Sequence, residues 1–121
     1  MEIEQSVAAE ITAIVSSWPG VTSGFGHRGE LSFRLNDREI GHLHGNTVAH
    51  FFLERTQAVS LRAAGRVTSH PVFPRSTRLV ARRIVTVADV ADVVEIMRLN
   101  YERLAAGMVG PADGAGEDLR H

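Results

Sequence analysis

The sequence predicts an α+β domain, and two stretches carry the prediction. Residues 29–44 alternate apolar and polar side chains on two strands joined by a two-residue turn, and residues 87–104 repeat apolar side chains at three- and four-residue steps. Tight turns between the strands imply an antiparallel sheet of about four or five strands. The helices then cover mainly one face, in the order helix, three strands, helix, strand, helix. The chain has 121 residues, which sets the scale at one domain, expected over 1–107, with a flexible tail over 108–121.

Each element has a local reason. Val7, Ile11, Ile14 and Val15 recur at helical spacing, with Ser6 available as a cap and Pro19-Gly20 closing the segment after Trp18, which reads as a lid on the core. Leu31, Phe33 and Leu35 mark a half-buried strand. Asn36-Asp37 tolerates left-handed backbone angles, so a hairpin turn leads into Arg38–His44. Pairing Leu35 with Arg38 sets Arg34 opposite Glu39, Phe33 opposite Ile40 and Leu31 opposite His42. In that register His42 and His44 share the inward face of Phe33 and Ile40, and Glu39 lies on the other. Gly45-Asn46 is a turn, and Thr47–Phe52 a third apolar strand. Glu54–Ala64 is a short helix ended by Gly65. Ser69 to Ser76 holds two prolines and is a loop. Leu79–Thr86 is a strand, and Thr86-x-x-Asp89 opens the last helix as a capping box with Asp in place of Glu. That helix buries Val87, Val90, Val94, Met97, Tyr101 and Leu104 and ends at Gly107.

Composition removes whole classes of function. There is no cysteine, which excludes disulfides, thiol chemistry and cysteine-based metal sites and favours a cytoplasmic address. No apolar run approaches the roughly 18 residues of a membrane span, and no signal peptide is expected. Every basic residue is arginine, so lysine Schiff bases and lysine-centred phosphate loops are out. Fourteen acidic residues against thirteen basic ones argue against a nucleic-acid groove. Arg75, Arg78, Arg82 and Arg83 are clustered in sequence, but alternation sends Arg82 and Arg83 to opposite faces.

Several runs resemble a known family: Trp18-Pro-Gly-Val-Thr-Ser-Gly, Arg38-Glu-Ile-Gly-His-Leu-His-Gly45, Ala63-Ala-Gly-Arg-Val, His70-Pro-Val-Phe-Pro-Arg-Ser76 and Arg98-Leu-Asn-Tyr-Glu-Arg103. Together they are similar to the small bacterial and fungal proteins grouped as luciferase domains. The element order and the Asn-Tyr pair of the last helix also resemble the MmcQ/YjbR group, which implies a double-wing α+β sheet. The luciferase label implies no reaction here, because the chain lacks a glycine-rich phosphate loop and an acidic dinucleotide partner. Relatives place Gly-Trp after the Pro-x-Ser segment, where this chain has Thr77-Arg78, a change that alters the polarity of any wall formed there.

The candidate site joins the His42/His44 hairpin to the loop carrying His70, Arg75 and Ser76. Alternate strand residues share a face, so His42 and His44 form half of a metal site, with His70, His50 or Glu39 as candidate third ligands. By the register above Glu39 faces away. Imidazoles that hydrogen-bond a small molecule or an anion are the preferred reading, with no cofactor expected. Ser76 as nucleophile with His70 or His44 as base lacks an orienting acid, and Ser76 fits better as a turn hydroxyl. Three functions follow: a binding domain with a histidine-lined pocket, a histidine- or metal-dependent hydrolase, or a double-wing nucleic-acid binder. The first is preferred. A homodimer is allowed, and a membrane partner is not expected.

Overall fold

The computed structural model describes residues 3–109. Residues 110–121, most of the expected tail, lie outside the described residues. Helix α1 (Ile3–Val15) is followed by strands β1 (Val21–Phe25), β2 (Leu31–Leu35), β3 (Arg38–His44) and β4 (Val48–Phe52). Then come helix α2 (Arg55–Ala63), the short strand β5 (Thr68–Ser69), strand β6 (Leu79–Arg83) and helix α3 (Val87–Val109). The strands form one antiparallel sheet in the order β1-β2-β3-β4-β6-β5. The α+β class and the antiparallel sheet are as the sequence predicts. Two edge strands are additional: β1, whose Thr, Ser and Gly carry little strand signal, and the two-residue β5 at the mouth of the proline loop.

Helices α1 and α3 pack on each other, and α3 lies across β2, β3 and β6. Ile11 and Val15 of α1, Phe33, Ile40, Leu43 and Phe51 of the sheet, and Val93, Ile96 and Met97 of α3 are almost wholly removed from solvent. Each such side chain contributes about 1.5–3 kcal/mol of burial. Helix α1 begins at Ile3, so Ser6 lies inside the helix and not at its cap. The α3 stripe differs from the periodic reading at two places: Val87 is exposed, and Val93 and Ile96 are buried instead. The helix also runs two residues past Gly107.

Local signals act as expected at three junctions. Asn36 takes a φ of 57° in the β2–β3 turn. At the end of α2, Gly65 has a φ of 75°, and the Gly65 and Arg66 amides donate to the Arg62 and Leu61 carbonyls, a left-handed C-terminal cap. At the start of α3, Asp89 Oδ2 accepts from the Val85 and Thr86 amides while the Asp89 amide donates to Thr86 Oγ1.

The hairpin register departs from the sequence reading after its first two pairs. Leu35 opposes Arg38 and Arg34 opposes Glu39, but the next partners are Phe33 with Gly41, Ser32 with His42 and Leu31 with Leu43. A β-bulge at Ile40 inserts one residue between Glu39 and Gly41, and a one-residue shift in a strand moves every later side chain to the other face. Phe33 does not oppose Ile40, and His42 does not share a face with Phe33. Gly41 takes that place under α3, where a Cβ would stand 3.0 Å from Phe51 Cδ1 and 3.1 Å from Met97 Cε. Only glycine lets the bulged strand and the helix approach so closely.

Asn100 fixes this arrangement. It is fully buried on α3, and its Nδ2 donates to the carbonyls of Ile40 (2.9 Å) and Phe52 (3.2 Å), tying the helix to β3 and β4. Tyr101 donates to the Pro19 carbonyl at 2.8 Å, and its ring lies 5.3 Å from that of the partly buried Trp18.

Candidate metal and ligand site

The bulge decides which side chains meet. On β2, Ser32 and Arg34 point to one face; their partners across the ladder are His42 and Glu39, so these two share that face despite their three-residue separation. Next along the sheet, His42 pairs with His50 of β4, and His50 pairs with Ala81 of β6, itself paired with Thr68 of β5. Alternation then brings His44 beside His50, and His70, two residues past Thr68, to its other side. Four imidazoles are gathered on the sheet face opposite Phe33 and Phe51.

The rings touch in sequence. Centroids lie 4.9 Å apart for His42 and His44, 5.2 Å for His42 and His50, 4.7 Å for His44 and His50, and 4.3 Å for His50 and His70. The Phe73 ring, 5.5 Å from that of His70, closes the row on the loop side. His42 and His44 are half-buried, whereas His50 and His70 are 8% and 9% exposed.

Hydrogen bonds assign a role to each ring. His42 Nδ1 lies 2.6 Å from Glu39 Oε2, and Ser32 Oγ donates to Glu39 Oε1 at 3.3 Å. A carboxylate that accepts the Nδ1–H leaves the Nε2 lone pair free for a metal, as in a carboxylate–histidine–metal relay. His70 is the reverse: its Nδ1 accepts from the Val72 and Phe73 amides at 3.1 and 3.3 Å. The neutral ring therefore carries its proton on Nε2 and offers a donor, not a lone pair. His50 Nε2 is buried with no hydrogen-bond partner.

Electrostatics favour the neutral ring at three of the four histidines. Burial first, and the neighbouring imidazoles second, push His50 down to about 4. The same causes lower His44 and His70. At Glu39, burial opposes the charge, but the hydrogen bond and charge of His42 outweigh it and hold the carboxyl below its ordinary range. Neutral imidazole is the protonation state that metal ligation requires, and three of the four rings are pushed toward it.

His42, His44 and His50 each present a ring nitrogen, and these atoms all lie within 4.8 Å of one another. Tetrahedral zinc, with Zn–N near 2.0 Å, wants nitrogens about 3.3 Å apart, so the three would have to draw closer around an ion. The third imidazole is His50, and Glu39 supports the set from behind rather than facing away. The alternation Val48-x-His50 paired across the Gly45-Asn46 turn was the available signal for it. His70 joins the cluster through His50. Arg75 is exposed in the loop, and Ser76 Oγ is occupied by the Arg78 and Leu79 amides at 3.2 and 2.9 Å, the work of a turn hydroxyl.

Two other features belong elsewhere. A cavity of about 730 Å³ lies near the start of α1, lined by Val7, Asn46, Val48, Ile84 and Val90, with no histidine in its wall. Arg82 is bound to Asp89, Asp92 and the Arg66 carbonyl, so it is not free to join Arg75, Arg78 and Arg83 in a cationic patch.

A family model described as Luciferase domain matches residues 37–100, just over half of the chain. The matched stretch contains Glu39, all four clustered histidines and Asn100. No curated protein and no solved structure matches the chain.

Proposed function

We propose that this chain, which belongs to the Luciferase domain family, holds one transition-metal ion on His42, His44 and His50 and offers the open fourth position to a small molecule or anion. The buried, unpartnered Nε2 of His50 carries the reading. An imidazole nitrogen sealed from water without a hydrogen bond costs about 1–3 kcal/mol, and a metal bond removes that cost. Imidazole-only coordination suits zinc, copper, nickel or iron and does not suit magnesium or calcium. Glu39 and Ser32 support the reading from behind His42, and the Nε2–H of His70 supplies a donor beside the ligand.

A hydrolase is the second reading. Three histidines with one open position also suit a metal-bound water of lowered pKa, and the His70 donor stands on the side where a developing negative charge would need it. The neutralised Arg82 weakens the nucleic-acid alternative. No described helix is long and apolar enough to cross a membrane, and we take the cytoplasm as the working address.

The test is titration of metal-free protein with zinc and with cobalt(II). The expected outcome is one ion per chain at micromolar concentration or below, with the intense visible bands of tetrahedral cobalt. Absence of saturable binding, or unchanged affinity in His50→Leu, overturns it.

A further inference from the structure

Asn100 and Arg103 of the last helix, and Arg38 at the start of β3, lie in the motifs singled out by sequence, yet the histidine site uses none of them. Their arrangement has its own logic. Asn100 Nδ2 is spent on the Ile40 and Phe52 carbonyls, which leaves its Oδ1 facing Arg103. Arg103 Nε and Nη2 both donate to that oxygen, at 3.0 and 2.8 Å. One residue further along the chain from Phe52, the Leu53 carbonyl accepts Arg78 Nε at 3.0 Å, and the Arg78 guanidinium lies 4.8 Å over the Phe52 ring. Arg38 is exposed two residues before Ile40, on the strand that Asn100 holds. Three guanidinium groups are thus gathered where β3 begins and β4 ends.

Each of the two anchored arginines is oriented by a neutral oxygen, so neither loses its charge to its anchor. No carboxylate lies within ion-pair distance of Arg38, Arg78 or Arg103 among the described residues. Burial, then the charges of Arg38 and Arg78, make the protonated state of Arg103 harder to hold, and only Glu54 works in the other direction. Glu54 is engaged at the start of α2, where it accepts from the Gln57 amide at 3.1 Å. Of the other partly buried arginines, Arg66 and Arg82 sit on carboxylates, whereas Arg62 donates to the Ser76 carbonyl. Neighbouring like charges with no carboxylate in ion-pair contact mark a place for an anion from outside.

We propose that Arg38, Arg78 and Arg103 form an oxyanion subsite for the phosphate group of a small ligand, aimed by Asn100 and Leu53. Three guanidinium groups suit a dianion better than a carboxylate. Phe52, 46% exposed beside Arg78, gives the organic part of the ligand an apolar surface. The subsite is independent of the metal.

The experiment titrates the protein with inorganic phosphate, phenyl phosphate and benzoate, following heat or chemical-shift changes. Chelator is present throughout, at about pH 8, above the imidazole range, so that neither a metal nor a charged histidine holds the anion. Saturable phosphate binding, tighter binding of phenyl phosphate, and weaker binding of benzoate are expected. Arg38→Gln and Arg78→Gln each lower phenyl phosphate affinity by about tenfold, the share of one charge-assisted bidentate contact. Arg83→Gln, an exposed arginine on β6 away from the trio, leaves it unchanged. Melting curves that match the parent show the variants folded. Absence of saturable binding, benzoate equal to phenyl phosphate, or an equal loss in Arg83→Gln overturns the proposal.

Discussion

Two polar clusters sit on this small domain and are built on opposite terms. At the start of α3, Arg66 and Arg82 meet Asp89, Asp92 and Glu95 at 2.5–2.9 Å, and Asp89 also collects two backbone amides. Donors face acceptors throughout, and Asp89 is held well below its ordinary range, first by the Thr86 and Val85 amides and then by Arg82. On the far face of the sheet, four imidazoles crowd together, one of them with a buried nitrogen bonded to nothing. The first cluster is complete within the chain and fastens β6, α2's exit and α3. The second leaves a buried ring nitrogen unsatisfied within the chain, and the proposed metal site rests on that difference.

The comparison is broken most easily at His50. His50→Leu is expected to lower zinc affinity by about 100-fold or more, since it removes one of three ligands. Without metal the same variant should be as stable as the parent or more so, because a buried polar atom without a partner is replaced by an apolar group. Chemical denaturation in chelator checks this; a clear loss of stability would mean that His50 is satisfied in the free protein. The pH dependence is part of the same prediction. A histidine whose pKa falls from 6.5 unfolded to about 4 folded is neutral in the native state while the unfolded chain takes up a proton. Its stability is full above pH 6.5 and declines as pH falls toward about 4, by on the order of 3 kcal/mol. His50→Leu should lose most of that slope, keeping the smaller share due to His44 and His70.

Glu39→Gln sharpens the contrast from behind the site. The amide oxygen can still accept the His42 Nδ1–H but carries no negative charge, and zinc affinity should fall between about 10- and 100-fold. An affinity equal to the parent would demote Glu39 to a surface neighbour. In the completed cluster, Arg82→Met keeps the aliphatic stem and removes the bonds to Asp89, Asp92 and the Arg66 carbonyl. A loss of about 1–2 kcal/mol in urea denaturation, with zinc binding untouched, is expected. A change in metal affinity there would mean that the two clusters are coupled.

Much of the fold was legible because the signals were local. Asn36, Gly65 and the Thr86/Asp89 pair each settle a boundary through their own backbone chemistry, and the periodicity of residues 87–104 settles the long helix. The hairpin was legible for two pairs and then misleading. Nothing in Glu39-Ile40-Gly41 announces a bulge, because its cause is distant: Gly41 must pass under Met97 and Phe51, and Asn100 must reach the Ile40 carbonyl. His42, His44 and His70 were nameable from their motifs, whereas their company was not. The approach of His50 depends on β3 pairing with β4, and that of His70 on a two-residue edge strand too short to be seen in sequence. Asn100 was hidden for a plainer reason, since a polar residue on a helix is ordinarily read as solvent-facing.

The extra residue at Ile40 works like a change of reading frame halfway along a ribbon. Upstream of it, β3 follows one phase and Glu39 looks away from the helices; downstream, the phase is inverted, and Leu43 returns to the interior while His42 and His44 emerge beside that same carboxylate. Closing the bulge with Ile40 still in the strand, so that Ile40 paired with Phe33, would turn the imidazoles in among the hydrocarbon side chains and scatter the set. The capacity to gather them thus resides in a spacing, one amino acid long, within a strand whose composition gives no hint of it.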